Sequence, residues 1–200
     1  MEEWYSRGYL PHRDKPGLVQ HITFRLADSL PYNVLERLKF ELDIIRNELG
    51  SSFDASELDK KMKTEKINRI EGYLDAGHGS SILKNADFAI VLKNVLKHFD
   101  ESRYMLLCWC IMPNHVHVLI RTLSYPLDKI VKSWKSYSAR EINKISGVSG
   151  GLWHREYFDR YVRDEKHLKE VSEYIEMNPV KAGLVKNKED WQFCSAYKTN

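Results

Sequence analysis

The 200-residue sequence contains no apolar run long enough to span a bilayer, and residues 1–10 include no apolar signal core. Cysteine is scarce, since only Cys108, Cys110 and Cys194 occur. Cys108 and Cys110 are separated by one residue, a spacing that suits neither a disulfide nor a zinc knuckle. Internal repeats and low-complexity tracts are also missing. These absences argue against membrane, disulfide-framework and repeat proteins, and we expect a cytoplasmic protein with reduced cysteines.

No strong excess of one charge is present either, because the net charge is only +3. Its distribution is uneven: residues 121–200 carry 15 basic and 11 acidic side chains. The hydrophobic share of 42% and the charged share of 30% are ordinary for a globular protein. We therefore predict a single domain over residues 1–200, with its basic excess in the second half.

Hydrophobic periodicity predicts strands interleaved with helices. The sequence predicts strands at 18–26, 104–111 and 115–121, and helices at 34–49, 87–98 and 130–145. A last helix begins after Asp164 and runs to about Met177, where Pro179 is expected to stop it. Residues of about 50–85 are predicted to form a helical insertion followed by a loop, with no chemistry that the sequence identifies. This order predicts an α+β, ferredoxin-like (RRM-like) fold, an antiparallel sheet with helices packed on it.

His115 and His117 lie two residues apart on a predicted strand, so their side chains share one face. The apolar residues Val116, Val118 and Ile120 then point to the other face. Two imidazoles about 7 Å apart, from two rises of ~3.3 Å, can converge on one metal ion. The alternative is an edge strand with two surface histidines, and the spacing by itself leaves both readings open.

Tyr174 and Asn178 are four residues apart on the last predicted helix and share one helix face. The Asn178 amide oxygen could complete a metal site, and the Tyr174 phenol would then lie beside it and could attack a phosphate. Equally, Tyr174 could be a core residue on one stripe with Val171 and Ile175. Tyr157 is the competing nucleophile, in a predicted loop and without an amide side chain one turn away.

Four segments of the chain resemble REP-associated tyrosine transposases, a branch of the single-tyrosine HUH transposases of IS200-like insertion sequences. In the HUH motif a bulky apolar residue separates two histidines, as in residues 112–120. The other similar segments are 7–12 with 22–26, 153–160 and 174–185. All four occur in the family's order along the chain.

The resemblance implies an HUH endonuclease fold and a Mg²⁺ or Mn²⁺ ion. It assigns His115 and His117 as the metal pair, Asn178 as the third ligand and Tyr174 as the nucleophile. Glutamine is frequent at the third position in insertion-sequence relatives, and asparagine is one methylene shorter. Attack by Tyr174 would leave a 5′-phosphotyrosine and a free 3′-hydroxyl. The implied substrate is single-stranded DNA with hairpins, such as REP-like palindromes.

Basic side chains that could bind DNA phosphates occur in three places. Trp134, Tyr137 and Trp153 could stack on unpaired bases or belong to the core. The candidate DNA contacts are Lys132, Lys135 and Arg140 on the predicted helix, Arg155, Arg160 and Arg163 around the loop, and Arg7, His12 and Arg25 near the first strand.

Two other functions remain open at this stage. A domesticated hairpin-binding protein on the same fold would keep DNA recognition without moving DNA. An RNA-binding module is disfavoured, because such a sheet displays aromatic residues where this one has His115, His117 and Leu119. The sequence does not decide between a monomer and a homodimer. A transposase would act in the cytoplasm and associate with the nucleoid when bound to DNA.

Overall fold

The computed structural model describes residues 4–6, 11–13, 15–50 and 52–198. Two short strands, β1 (Trp4–Ser6) and β2 (Pro11–Arg13), pair with each other in antiparallel fashion. The main sheet has four strands: β3 (Val19–Arg25), β4 (Tyr104–Ile111), β5 (His115–Thr122) and β6 (Phe158–Tyr161). The helices are α1 (Tyr32–Leu49), α2 (Ala55–Asp75), α3 (Ala86–His98), α4 (Leu127–Ser146) and α5 (Glu165–Lys181). None of the helices in these ranges is long and apolar enough to cross a membrane.

The main sheet has the strand order β4-β5-β3-β6, and every neighbouring pair is antiparallel. The chain crosses from β3 to β4 through α1, α2 and α3, and from β5 to β6 through α4. Two central strands flanked by the strands that follow each crossover are the arrangement of a ferredoxin-like fold. The predicted α+β class and antiparallel sheet are confirmed.

Both faces of the sheet are covered by helices. On one face, Ile22, Phe24 and Val118 belong to a core that includes side chains of α3 and α4. On the other face, Val171 and Ile175 of α5 pack against strand residues that include Cys108, Cys110 and Leu119. Consequently β5 is buried along nearly its whole length. His115 and His117 are 1% and 0% exposed, so the alternative of two surface histidines is wrong.

Helices α1 and α2 form a hairpin that is held together by apolar and charged contacts. Leu38 of α1 packs with Ile70 and Leu74 of α2, and Phe158 of β6 lies against the same cluster. The carboxylate of Glu41 accepts hydrogen bonds from side chains of both helices. Asp54 caps α2 through the backbone amides of its first turn. The region predicted as a helical insertion therefore contains a long helix that packs beside β6.

The turn after α2 fixes the C-terminal end of that helix against β3 and β5. Gly79 has a φ of +82°, and a Cβ atom at this position would lie 2.5 Å from the carbonyl oxygen of Asp28. Ser80 donates its backbone N–H to Asp28 at 2.8 Å, and Asn114 donates its side-chain N–H to the His78 carbonyl at 2.9 Å. Only glycine tolerates this combination of left-handed backbone and close approach.

One prediction about the last third of the chain was wrong, and one strand there was not predicted. Pro179 does not stop α5, which continues to Lys181. Pro179 lacks the N–H that would bond to Ile175, but its fixed φ is compatible with a helix, and only two more residues follow it in α5. Tyr157 lies in the connection just before β6, as predicted, and its side chain is buried in the core, but β6 itself was not predicted. The strand was missed because four residues are too few to show an alternating pattern.

Candidate active site

His115 and His117 point their Nε2 atoms at each other across 3.0 Å. The Nδ1 atom of His115 lies 2.7 Å from Asn114 Oδ1, which can only accept a hydrogen bond. The proton of His115 is therefore on Nδ1, and its Nε2 is a bare lone pair. His117 Nδ1 has the same option, because Thr23 Oγ1 lies at 2.9 Å and can accept from it. Such contacts to the second ring nitrogen orient metal-ligating histidines.

Asp75, at the end of α2, brings a carboxylate to this pair of imidazoles. Its Oδ1 lies 3.5 Å from His115 Nε2, and ligand atoms of Asp75, His115 and His117 all lie within 4.8 Å of one another. The buried Asp75 Oδ1 has no hydrogen-bond donor among the described residues. An acceptor oxygen without a donor is costly unless a cation binds there.

Asn178 presents a second buried oxygen without a donor. Its side chain is fully buried, and its Nδ2 donates to the Tyr174 carbonyl at 3.0 Å. Its Oδ1 has no partner within the part of the chain that the structure describes. The donor set of the two imidazoles and Asp75 Oδ1 fits a divalent cation that accepts mixed nitrogen and oxygen ligands.

Burial keeps the three imidazoles around the site in the neutral form that binds metals. It lowers the pKa of His115 to about 3, and it lowers the pKa of His117 well below its usual value, with His115, His21 and Lys181 adding to the effect. His21, whose Nε2 is 3.1 Å from His117 Nδ1, also has a pKa of about 3 through burial and the nearby Arg160.

Asp75 shows the opposite shift, because burial disfavours a carboxylate. Burial first and the charge of Glu71 second raise the pKa of Asp75 to about 6, while Lys181 opposes them. At neutral pH the carboxylate is therefore charged but poorly compensated by the protein. A bound cation would supply that compensation.

Tyr174 lies on α5 next to the imidazoles. Its ring is edge-on to the rings of His117 and His21, with centroids 5.6 and 6.0 Å apart. Its hydroxyl donates to Glu71 Oε2 at 3.4 Å, and Lys181 Nζ lies 4.7 Å from the ring centroid. Burial, together with Glu71 and Asp75, raises the phenol pKa above its ordinary value. The phenol therefore stays protonated in this environment.

The predicted DNA contacts fall into different regions. Arg160 is exposed and lies opposite His21 in the β3–β6 register, so it shares the sheet face of the imidazoles. Arg163 is exposed just before α5. Lys132, Lys135 and Arg140 are on α4, across the sheet.

Several of these side chains already make contacts within the protein. Lys135 Nζ donates to two backbone carbonyls at 2.7 Å and lines a cleft of about 160 Å³ with Lys132 and Arg155. Arg25 is buried, donates to Ser29 Oγ at 3.0 Å, and has a pKa lowered to about 10 by burial. Arg7 lies outside the described residues, and of His12 only the backbone is described, which pairs with that of Tyr5 in the β1–β2 sheet.

Of the three predicted stacking residues, Trp134 and Trp153 make hydrogen bonds and packing contacts inside the protein. Trp134 is 1% exposed and donates its Nε1–H to Tyr104 Oη at 2.9 Å. Trp153 donates to Ser138 Oγ at 3.0 Å and packs on Phe24. Tyr137 is half-exposed, with Arg140 over its ring. Tyr137 is thus the one of these three that an unpaired base could reach.

Sequence reasoning missed Glu71, Asp75 and Lys181. Glu71 and Asp75 are one helical turn apart, a spacing that places two carboxylates on one face of α2. Lys181 is seven residues after Tyr174, again on the same helix face. Both spacings are visible in the sequence, but nothing in it shows that α2 reaches β5.

Comparison with known proteins supplies the family context. Residues 80–178 match the family model of IS200-like transposases. The REP-associated tyrosine transposase of Escherichia coli K12 is 27% identical over 121 residues, which cover 59% of this chain and 70% of that protein. A relative from Haemophilus influenzae is 25% identical over 124 residues, which cover 56% of this chain and 68% of that protein.

Among solved structures, the fold is similar to that of a REP-associated tyrosine transposase bound to a REP hairpin. The TM-score is 0.55 and the identity 18%, over 98% of this chain and 82% of that chain. The segment that matches the family model includes His115, His117, Tyr174 and Asn178. Glu71 and Asp75 lie outside it.

Proposed function

Residues 80–178 belong to the IS200-like transposase family, and on that premise we propose that this chain is a metal-dependent endonuclease and strand transferase acting on hairpin-bearing single-stranded DNA. The observation that carries the proposal is the packing of the Tyr174 ring, 5.6 Å between centroids, against His117, whose Nε2 faces that of His115. A nucleophile, a metal-binding pair and nearby cations are the parts that phosphoryl transfer requires. The solved relative bound to a REP hairpin supports the substrate class.

Four side-chain atoms would hold the cation: the Nε2 atoms of His115 and His117, Asp75 Oδ1 and Asn178 Oδ1. Mg²⁺ or Mn²⁺ fits the oxygen donors, and the two imidazoles favour Mn²⁺ of the two. When bound, the cation polarises a phosphate oxygen and stabilises the negative charge that develops there. The protein holds the imidazoles neutral and correctly oriented through Asn114 and Thr23.

Tyr174 supplies the attacking oxygen. As its Oη bonds to phosphorus, the bond from phosphorus to the 3′-oxygen breaks, which leaves a 5′-phosphotyrosine and a free 3′-hydroxyl. Rejoining reverses these steps, with a 3′-hydroxyl attacking and Tyr174 leaving. Because the phosphodiester energy is kept in the covalent link, strand transfer needs no nucleotide cofactor.

Exposed cations near Tyr174 would position the DNA. Lys181 and Arg160 lie on the same sheet face as the imidazoles, within reach of phosphates that flank the scissile one. Arg155, Lys132 and Arg140 are farther away and would contact a more distant part of a hairpin. Phosphate contacts of this kind should make binding strongly dependent on salt.

A covalent-adduct assay tests the proposal. The full chain is incubated with Mn²⁺ and single-stranded hairpins taken from the genome around its gene, and then separated on a denaturing gel. We expect an adduct that disappears with Tyr174→Phe while DNA binding persists. Tyr137→Phe, a half-exposed control, should keep the adduct. An adduct that survives Tyr174→Phe would move the nucleophile to another tyrosine, with Tyr157 the first to test.

Binding without any adduct has a separate meaning. If the wild-type protein binds hairpins tightly yet gives no adduct with Mn²⁺ or Mg²⁺, the function is that of a domesticated DNA-binding protein. Repeated palindromes around the gene would identify the hairpins to use. The ends of a mobile element there would instead indicate an autonomous transposon.

A further inference from the structure

Helix α2 reaches the active site from outside the segment that matches the transposase family. It ends at Asp75, whose carboxylate faces His115. One turn earlier on the same face, Glu71 Oε2 lies 3.4 Å from the Tyr174 hydroxyl. The inserted helix therefore touches both the metal-binding pair and the nucleophile.

We propose that Glu71 is a catalytic residue, the base that accepts the phenol proton of Tyr174 during DNA cleavage. The proposal rests on the proposed function, in which Tyr174 is the nucleophile. It gives the insertion a role that the sequence did not reveal. Helix α2 then supplies a catalytic side chain to the active site.

The proton and electron pairs balance in both directions. In cleavage, the Tyr174 O–H bond breaks and the proton moves to Glu71 Oε2 while Tyr174 Oη bonds to phosphorus. The bond from phosphorus to the 3′-oxygen breaks, and that oxygen takes a proton from water. In rejoining, the 3′-hydroxyl gives its proton to water as its oxygen bonds to phosphorus, the bond from phosphorus to Tyr174 Oη breaks, and Glu71 returns its proton to Tyr174.

Glu71 is in a better position than its neighbours for this transfer. His21 Nε2 is directed at His117 Nδ1 and Thr23 Oγ1 rather than at the phenol. Asp75 is directed at His115, where it would bind the metal. Glu71 has the hydrogen bond to the phenol, and catalytic hydrogen bonds of this length commonly shorten when substrate binds.

The environment of Glu71 also suits a base. Burial raises the pKa of its carboxyl group, which makes it a stronger base than an exposed glutamate. Arg160 opposes this shift and keeps the carboxylate form available. Arg160 therefore faces both the expected DNA path and the proposed base.

Helix α2 is anchored firmly enough to hold Glu71 in place. Asn114 links the turn after α2 to the histidine pair, because its Nδ2 donates to the His78 carbonyl while its Oδ1 contacts His115. Arg69 of α2, two residues before Glu71, forms an ion pair with Glu41 of α1. A base on a rigid, tethered helix keeps its geometry through the reaction.

Glu71→Gln tests the proposal in the adduct assay, with Glu57→Gln as the matched control on an exposed part of the same helix. General-base catalysis typically contributes a factor of 10² to 10⁴, so we expect adduct formation by Glu71→Gln to slow at least ~100-fold. Glu57→Gln should match the wild type. Mn²⁺ affinity measured by calorimetry should fall far less in Glu71→Gln than in Asp75→Asn, since the amide keeps the shape and the proposed ligands remain.

Replacing Tyr174 by a fluorinated tyrosine separates base catalysis from a structural role. A fluorinated phenol is more acidic and depends less on a base, so it should restore much of the rate lost in Glu71→Gln. A structural defect would not respond to the acidity of the nucleophile. No rescue, or a Glu71→Gln rate equal to that of the wild type, would overturn the proposal.

The contact between Glu71 and Tyr174 can also be tested by a measurement that does not depend on enzymatic activity. In metal-free protein, Glu71→Gln, Tyr174→Phe and the double variant are compared by thermal unfolding. If the two side chains interact, the midpoint shift of the double variant differs from the sum of the single shifts. Additive shifts would contradict the contact. Failure of the proposed function looks different, because the wild type would then give no adduct through Tyr174 at all.

Discussion

The Nε2 atoms of His115 and His117 face each other at 3.0 Å, and each imidazole is held by a contact to its Nδ1. With the proton of His115 on Nδ1 and the same option for His117, two nitrogen lone pairs can face one buried point, and the donorless Asp75 Oδ1 lies 3.5 Å from His115 Nε2. Such a concentration of acceptors destabilises the folded protein unless a cation is present. The site should therefore couple metal binding to stability.

Adding Mn²⁺ should raise the melting temperature of the wild type. A ligand at about 100 times its Kd stabilises a protein by ~2.7 kcal/mol, which corresponds to a shift of roughly 5–10 °C for a chain of this size. Asp75→Asn should weaken Mn²⁺ binding at least ~10-fold, since even residues behind the ligands contribute that much. Asp59→Asn, an exposed change on the same helix, is the control. If Asp75→Asn keeps the full shift and Asn178→Ala loses it, Asn178 is the third ligand and Asp75 is not.

Thr23→Val should weaken Mn²⁺ binding although Thr23 is not a proposed ligand. The valine removes the hydroxyl at 2.9 Å from His117 Nδ1 and leaves His21 Nε2, at 3.1 Å, as the remaining contact to that nitrogen. Loss of such a contact typically costs 10- to 100-fold in metal affinity. Calorimetric titration measures the change, and Thr64→Val on the exposed side of α2 is the matched control. Equal affinities in both variants would mean that Thr23 does not orient the ligand.

The histidine pair was predictable because it depends on local geometry. A period of two along β5 puts His115 and His117 on one face whatever the rest of the chain does. The same holds for Tyr174 and Asn178, which are one turn apart on α5. In both cases the number of residues between the two side chains determines how far apart they lie.

Asp75 and Glu71 were not predictable in this way. They are about 40 residues from His115 along the chain, and they reach it only because the α1–α2 hairpin docks beside β6. That docking depends on Leu38, Ile70 and Leu74, and on the Gly79 turn against Asp28. A contact between segments so far apart produces no periodic pattern in the sequence. Asp75 and Glu71 could therefore be identified only from the structure.

Arg160 and Arg140 should differ in what they contribute to DNA processing. Each lost phosphate contact reduces the slope of log affinity against log salt by about 0.7 for single strands. Arg160→Gln should reduce the slope and also slow adduct formation at saturating DNA, because Arg160 shares the sheet face of the imidazoles. Arg140→Gln on α4 should reduce only the slope. Fluorescence anisotropy across a salt series and the gel assay measure the two effects. An unchanged slope in Arg140→Gln would mean that Arg140 on α4 does not contact DNA phosphates.

Acid should destabilise the metal-free protein because three imidazoles are buried in neutral form. The pKa values of His21 and His115 are about 3, and that of His117 is also lowered. Between pH 6.5 and about 3 the unfolded chain binds protons on these rings that the folded chain does not. Stability is therefore full above pH 6.5 and is lost as the pH falls, by up to about 1.4 kcal/mol per pH unit for each imidazole. Asp75, with its raised pKa of about 6, opposes this between roughly pH 6 and 4.

His21→Gln isolates one of these three imidazoles without removing a proposed metal ligand. Urea unfolding in the presence of a chelator, at several pH values from 7 to 4, gives the dependence of stability on pH. The variant should lose stability less steeply than the wild type on acidification, because one fewer ring takes up a proton on unfolding. His98→Gln, at an exposed position, should leave the dependence unchanged. If the wild type keeps its full stability down to pH 4, the imidazoles are already protonated or solvated in the folded protein, and the neutral ligand pair at the centre of the site is not formed without metal.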